Sequence, residues 1–139
     1  MRFMIIVRAN EATEAGVPPP KTLLAEMTRY LEELKQAGAF LDANGLQPSS
    51  TGWRIRYSGA QSTVLDGPFT ESKELIAGYT IIQVKSREEA LHWVRRFPNP
   101  AMDGGEAVVE VRQLFELEDP SHSDAVQILR DLGAATHKP

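Results

Sequence analysis

The sequence predicts an α+β fold of ferredoxin-like type: a βαββαβ sheet with an inserted β-hairpin and a C-terminal helix. Short apolar or alternating stretches recur along the chain, segments of helical period fall between them, and Pro or Gly separates most neighbours. A chain of 139 residues is most simply one domain and buries enough surface to need no cross-links. The expected division is a core over residues 1–118, with residues 119–139 appended as a helix and tail.

Residues 3–7, Phe-Met-Ile-Ile-Val, form a near-continuous apolar run that suits a strand covered on both faces. Residues 11–20 read as a loop closed by Pro18-Pro19-Pro20, which neither continues a helix nor sits in a central strand. A helix is expected over 21–37. Leu23, Leu24, Met27, Leu31 and Leu34 form one apolar stripe, Glu26, Arg29, Glu32 and Lys35 take the other side, and Gly38 supplies a left-handed cap. Tyr30 lies beside the stripe, an aromatic of the core edge or the surface. Residues 39–46 read as a strand, with Asn44-Gly45 as a turn or bulge.

Residues 53–57 alternate, placing Trp53, Ile55 and Tyr57 on one face and Arg54 and Arg56 on the other. Ser58-Gly59-Ala60 is a tight turn and 61–65 the returning strand, so the pair is a hairpin with a basic outer face. Residues 75–85 give the strongest strand pattern, apolar on both faces, and Gly78 marks a place where another backbone can approach. Ser86 and Glu89 form a capping box for a helix to about residue 97, with Ala90, Leu91, Val94 and Phe97 inward and Trp93 at the stripe's edge. Residues 107–115 alternate as a last strand. Asp119-Pro120 then opens a short amphipathic helix carrying Ala125, Ile128, Leu129 and Leu132. Two helices on one sheet face leave the other bare. That face also carries apolar side chains, so a homodimer closing face to face through it is expected.

Composition narrows the chemistry. There is no cysteine, hence no disulfide, thiol nucleophile or thiolate metal site. A net charge of −4 gives no footprint for nucleic acid. No apolar run approaches the ~18 residues of a membrane span, and the first residues read as a strand, so the protein is expected in the cytoplasm. The three histidines, His92, His122 and His137, share no metal-ligand spacing. No Gly-rich phosphate loop or G-x-S-x-G elbow is present, and no cofactor is assigned.

Acid–base and ion-pair chemistry remains. Asp66 ends a strand before a sharp turn, where a carboxylate can shuttle a proton or simply accept turn amides. Phe69 and Tyr79 can wall a pocket between sheet and helices, and Arg8 or Arg112 can hold an anionic group. Glu71 and Glu110 complete the candidate set, although Glu110 and Arg112 can equally be a cross-strand pair.

Asp66-Gly67-Pro68-Phe69, followed by Thr70-Glu71-Ser72-Lys73-Glu74 and Gly78-Tyr79, resembles the signature of the DGPF proteins, a branch of the YCII-related family. Gly45-Leu46-Gln47-Pro48, Glu89-Ala90-Leu91 with Trp93, and Val109-Glu110-Val111-Arg112 resemble further segments of that family. The resemblance implies a dimeric α/β barrel of ferredoxin-like halves, in a superfamily that includes small-molecule enzymes. It also implies a His–Asp pair. The histidine would fall near Met27, and this helix has none. Two readings follow: a small-molecule enzyme or ligand-binding protein, or a regulatory protein such as a companion of an extracytoplasmic-function sigma factor.

Overall fold

The computed structural model describes residues 1–116 together with Asp124, Gln127, Ile128, Asp131 and Leu132, and of Ser72 the backbone alone. The strands are β1 (Arg2–Arg8), β2 (Phe40–Gly45), β3 (Trp53–Ser58), β4 (Gln61–Asp66), β5 (Ile76–Gln83) and β6 (Val109–Gln113). The helices are α1 (Glu11–Glu14), α2 (Lys21–Gln36) and α3 (Arg87–Arg95). Four strands form an antiparallel sheet in the order β2-β5-β1-β6, which is the ferredoxin-like arrangement. The hairpin β3–β4 is a separate two-stranded sheet.

Period-two alternation gives the sheet two unlike faces. Phe3, Ile5, Thr80, Ile82 and Val84 are buried beneath the helices. The core continues into Tyr30 and Leu34 of α2 and Ala90 and Trp93 of α3. Ile5, Leu34 and Ile82 are its largest fully buried side chains. Met4, Ile6, Ala77, Tyr79 and Ile81 alternate onto the opposite face and are only half-buried. The expectation that both faces of β5 are covered therefore holds for one face among the described residues.

Several local readings change. Residues 11–14 form α1 rather than loop, because Asn10 and Thr13 cap each other. The Asn10 side chain accepts from the Thr13 amide at 2.9 Å, and the Thr13 hydroxyl accepts from the Asn10 amide at 2.8 Å. Asn44 and Gly45 stay inside the β2 ladder, and the irregularity lies between Phe40 and Asp42 instead. Gly38 does take the left-handed conformation, at φ 72°. Trp93 and Tyr30, expected at the margins, are both core. Tyr30 meets Trp93 and Phe97 edge-on, with ring centroids 6.1 and 5.3 Å away, and its hydroxyl donates to the Trp93 carbonyl at 2.7 Å. Burial pushes the Tyr30 phenol above its ordinary pKa, so it serves as a neutral donor.

The C-terminal helix expected from Asp119 lies for the most part outside the described residues. Of its apolar positions, Ile128 and Leu132 are described, and both are exposed.

Candidate functional site

The cavity on the helix side of the sheet begins with two glycines. Gly45 of β2 stands opposite Gly78 of β5 in the ladder. Neither has a side chain, and Ala43 beside them is small, so the floor beneath α2 is recessed. The backbones are close there: a Cβ on Gly78 would stand 2.9 Å from the Asn44 carbonyl oxygen, which is the close approach its position in the strand suggested. A Cβ on Gly45 would meet nothing within 4 Å. Leu23, Leu24, Met27 and Leu31 of α2 roof this floor, and Phe97 and Pro100 close one side, enclosing about 330 Å³. That lies within the range of small-molecule sites, and the lining is almost wholly apolar.

A second cavity, of about 540 Å³, lies where β1 ends. It shares Val7 and Pro100 with the first, so the two adjoin. Its lining differs: Arg8, Lys73, Asn10, Thr13 and Glu106 bring charge and hydrogen-bonding groups to the rim. Arg8 is held by two contacts, donating to the Lys73 carbonyl and to the Glu110 carboxylate. The Lys73 ammonium makes no ion pair among the described residues.

Tyr79, Glu110 and Arg112 lie on the open face instead, and Arg8, from the rim of the second cavity, reaches Glu110 there. In register, Asn44, Tyr79, Ile6 and Glu110 form one row across the four strands. At one end, the Tyr79 hydroxyl accepts from Asn44 Nδ2 at 3.0 Å and donates to Asp42 Oδ2 at 3.2 Å. At the other, Glu110 accepts from Arg8 at 2.5 Å and from Arg112 at 3.3 Å, on different oxygens. Tyr79 is thus a wall of the helix-side cavity only through its backbone, since its ring stands on the opposite face. Glu110 and Arg112 line neither cavity.

Both arginines hold the Glu110 carboxyl below the usual carboxylate range, Arg112 contributing most and Arg8 next. Arg8 is the nearer, so both contacts matter. A depressed folded-state value means that the pair's contribution is complete above the ordinary carboxylate pKa and fades as pH falls through the depressed value. Following the Glu110 carboxyl by NMR, we expect a midpoint below that of an exposed glutamate and a rise in Arg112→Ala. An unmoved midpoint in that variant would show that the bond to Arg112 does not form in solution.

Asp66, Phe69 and Glu71 lie elsewhere, at the hairpin root. Asp66 pairs with Trp53 at the end of the β3–β4 ladder, is exposed, and lines neither cavity. The Gly67–Pro68 peptide is cis. The Gly67 amide donates to the Gly52 carbonyl at 3.0 Å, and the Phe69 amide donates to Ser49 Oγ at 3.0 Å. Arg54 lies over the Phe69 ring, 3.9 Å from its centroid. The Ser49 amide and hydroxyl both donate to the Glu14 carboxylate. Glu71 is exposed, and its carbonyl accepts the Glu74 amide. Sequence reasoning missed Glu14 and Ser49, which anchor this corner, and Gly45, which opens the cavity. Asn10-x-x-Thr13 was the available sign that Glu14 belongs to ordered structure.

Among the described residues, no group of three or more His, Asp or Glu is placed to hold a metal ion, and no helix is long and apolar enough to cross a membrane.

Comparison with known proteins gives three findings. Residues 1–117 match the family model of the YCII-related domain. An uncharacterised protein of Rhizobium meliloti (strain 1021) is 33% identical over 96 residues, which is 69% of this chain and 74% of that protein. Among solved structures, 5-chloro-2-hydroxyhydroquinone dehydrochlorinase from Burkholderia phenoliruptrix AC1100, in complex with 2,5-dihydroxybenzoquinone, is 15% identical. The match covers 84% of this chain and 95% of that one, with a TM-score of 0.46.

Proposed function

The chain belongs to the YCII-related family, and from that premise we propose that it binds a small molecule with an apolar body and an anionic end between α2 and the sheet. The observation that carries the reading is the junction at Val7 and Pro100. An apolar cavity floored by Gly45 and Gly78 adjoins there, through shared lining residues, a second one whose rim bears Arg8 and Lys73. Apolar lining holds a ligand body by removing it from water, while a few charged groups at one end fix its orientation. Arg8 is partly committed to Glu110, so Lys73 is the freer cation. Glu106 on the same rim favours a ligand with one negative charge over one with two.

A homodimer through the open sheet face belongs to the same proposal. It is supported by the half-buried apolar strip of Met4, Ile6, Ala77 and Ile81, which no element among the described residues covers. The proposal concerns recognition. Asp66, the acid–base candidate, lines neither cavity.

The test uses two naphthalene dyes of similar size: anionic 1-anilinonaphthalene-8-sulfonate and neutral N-phenyl-1-naphthylamine. Both should bind the wild-type protein. Lys73→Met should weaken the anionic dye about fivefold, corresponding to roughly 1 kcal/mol for one exposed charge pair, and leave the neutral dye unchanged. Equal weakening of both dyes, or binding of neither, would overturn the reading.

A further inference from the structure

We propose that the β3–β4 hairpin is a dimerisation arm whose apolar face is covered by a second copy of this chain. In-register pairing places Ile55 opposite Val64, Tyr57 opposite Ser62 and Trp53 opposite Asp66. Alternation therefore puts Trp53, Ile55, Tyr57 and Val64 on one face. Their exposures are 64%, 45%, 75% and 61%. Arg54 and Arg56 stand on the other face.

The hairpin leaves the body entirely. Every residue of β3 and β4 is exposed, and its ties to the rest of the chain lie at the root, around Ser49, Gly52 and Phe69. A lone two-stranded hairpin is marginal in water and needs a third layer on its apolar face to be stable. Tyr57, nearest the tip, is the most exposed of the four, so no element among the described residues supplies that layer.

A second copy fits this face for two reasons. The patch is present on both subunits, so a two-fold axis buries it twice. At on the order of 500 Å² from four large side chains in each copy, the pair reaches roughly the 1,000 Å² that a specific interface requires. The charges also permit it: Arg54 and Arg56 stand on the other face, and Asp66, opposite Trp53, lies at the root end of the apolar one, so two hairpins closing antiparallel keep their Asp66 carboxylates at opposite ends of the interface. The surface differs from the open sheet face discussed above, and the inference is independent of ligand binding.

The test is sedimentation velocity of the full chain across a dilution series, for wild type, W53S/Y57S and R56S. Because Trp53 and Tyr57 are exposed and outside the core, the double variant should keep the wild-type circular dichroism. We expect a wild-type dimer, a rise of 100-fold or more in the dimer Kd for W53S/Y57S, and a change within threefold for R56S on the opposite face. A W53S/Y57S dimer as tight as wild type would overturn the arm while leaving the sheet-face dimer standing. A wild-type chain monomeric at all concentrations would overturn both. Acrylamide quenching of the wild type gives a second reading that needs no variant. The chain has two tryptophans, and Trp93 is buried in the core, so Trp53 should be shielded in the dimer and become quenchable on dilution. Free quenching of Trp53 in a sample shown to be dimeric contradicts the arm.

Discussion

Gly67→Ala is expected to destabilise the protein by about 3 kcal/mol or more, lowering Tm by roughly 10 °C. The reason is local and steric. A Cβ on Gly67 would stand 1.8 Å from the Ser49 carbonyl oxygen and 2.8 Å from its carbon, and both are backbone atoms. No rotamer relieves such a contact, so the corner itself must move. That corner is where the hairpin joins the body. Shifting it breaks the bond from the Gly67 amide to the Gly52 carbonyl and the bond from the Phe69 amide to Ser49 Oγ. It also disturbs the seat of Ser49 on Glu14. Amide exchange should therefore accelerate at Phe69 and Ser49 before it does in β1 and β5. A variant that melts within a degree or two of wild type, with Phe69 still protected, would show that the corner does not pack as described.

Much of the fold was legible because its signals are local. The apolar run of β1, the stripe of α2 after three prolines, the two-sided apolar pattern of β5 and the Ser86 cap each occupy a few neighbouring residues. What was not legible depended on partners distant in sequence. Tyr30 sits beside its stripe by helical period. It became core because Trp93 of α3 and Phe97 just beyond that helix pack against its ring, and because the Trp93 carbonyl accepts its hydroxyl. Alternation in β3 predicts two unlike faces but not whether anything covers the apolar one.

The candidate site divides along the same line. Arg8, Glu110, Arg112 and Tyr79 were singled out as residue types, but only the register places Tyr79 and Glu110 in one row, two strand spacings or about 10 Å apart. Gly45 read as a turn signal from its neighbour Asn44. Its position opposite Gly78 is a property of pairing between strands separated by the whole hairpin.

That pairing makes Gly45 the most informative position for ligand binding. Its Cβ would meet nothing within 4 Å, its backbone is not left-handed, and it lines the apolar cavity. Gly45→Leu should therefore grow a side chain into the space a ligand body would occupy, without displacing the core. A strand glycine replaced by a larger residue also loses less backbone entropy on folding, so Tm should stay level or rise slightly. Gly78→Ala is the wrong variant for this purpose, because its Cβ would meet the Asn44 carbonyl at 2.9 Å and act on the sheet itself.

The deciding measurement is a fluorescence titration of the neutral dye N-phenyl-1-naphthylamine into wild type and Gly45→Leu, with melting curves recorded alongside. Filling the floor should weaken binding by about 30-fold or more, equivalent to roughly 2 kcal/mol, with Tm unchanged or raised. Wild-type affinity in a folded Gly45→Leu protein would contradict the account, because the dye would then be bound outside the cleft between α2 and the sheet.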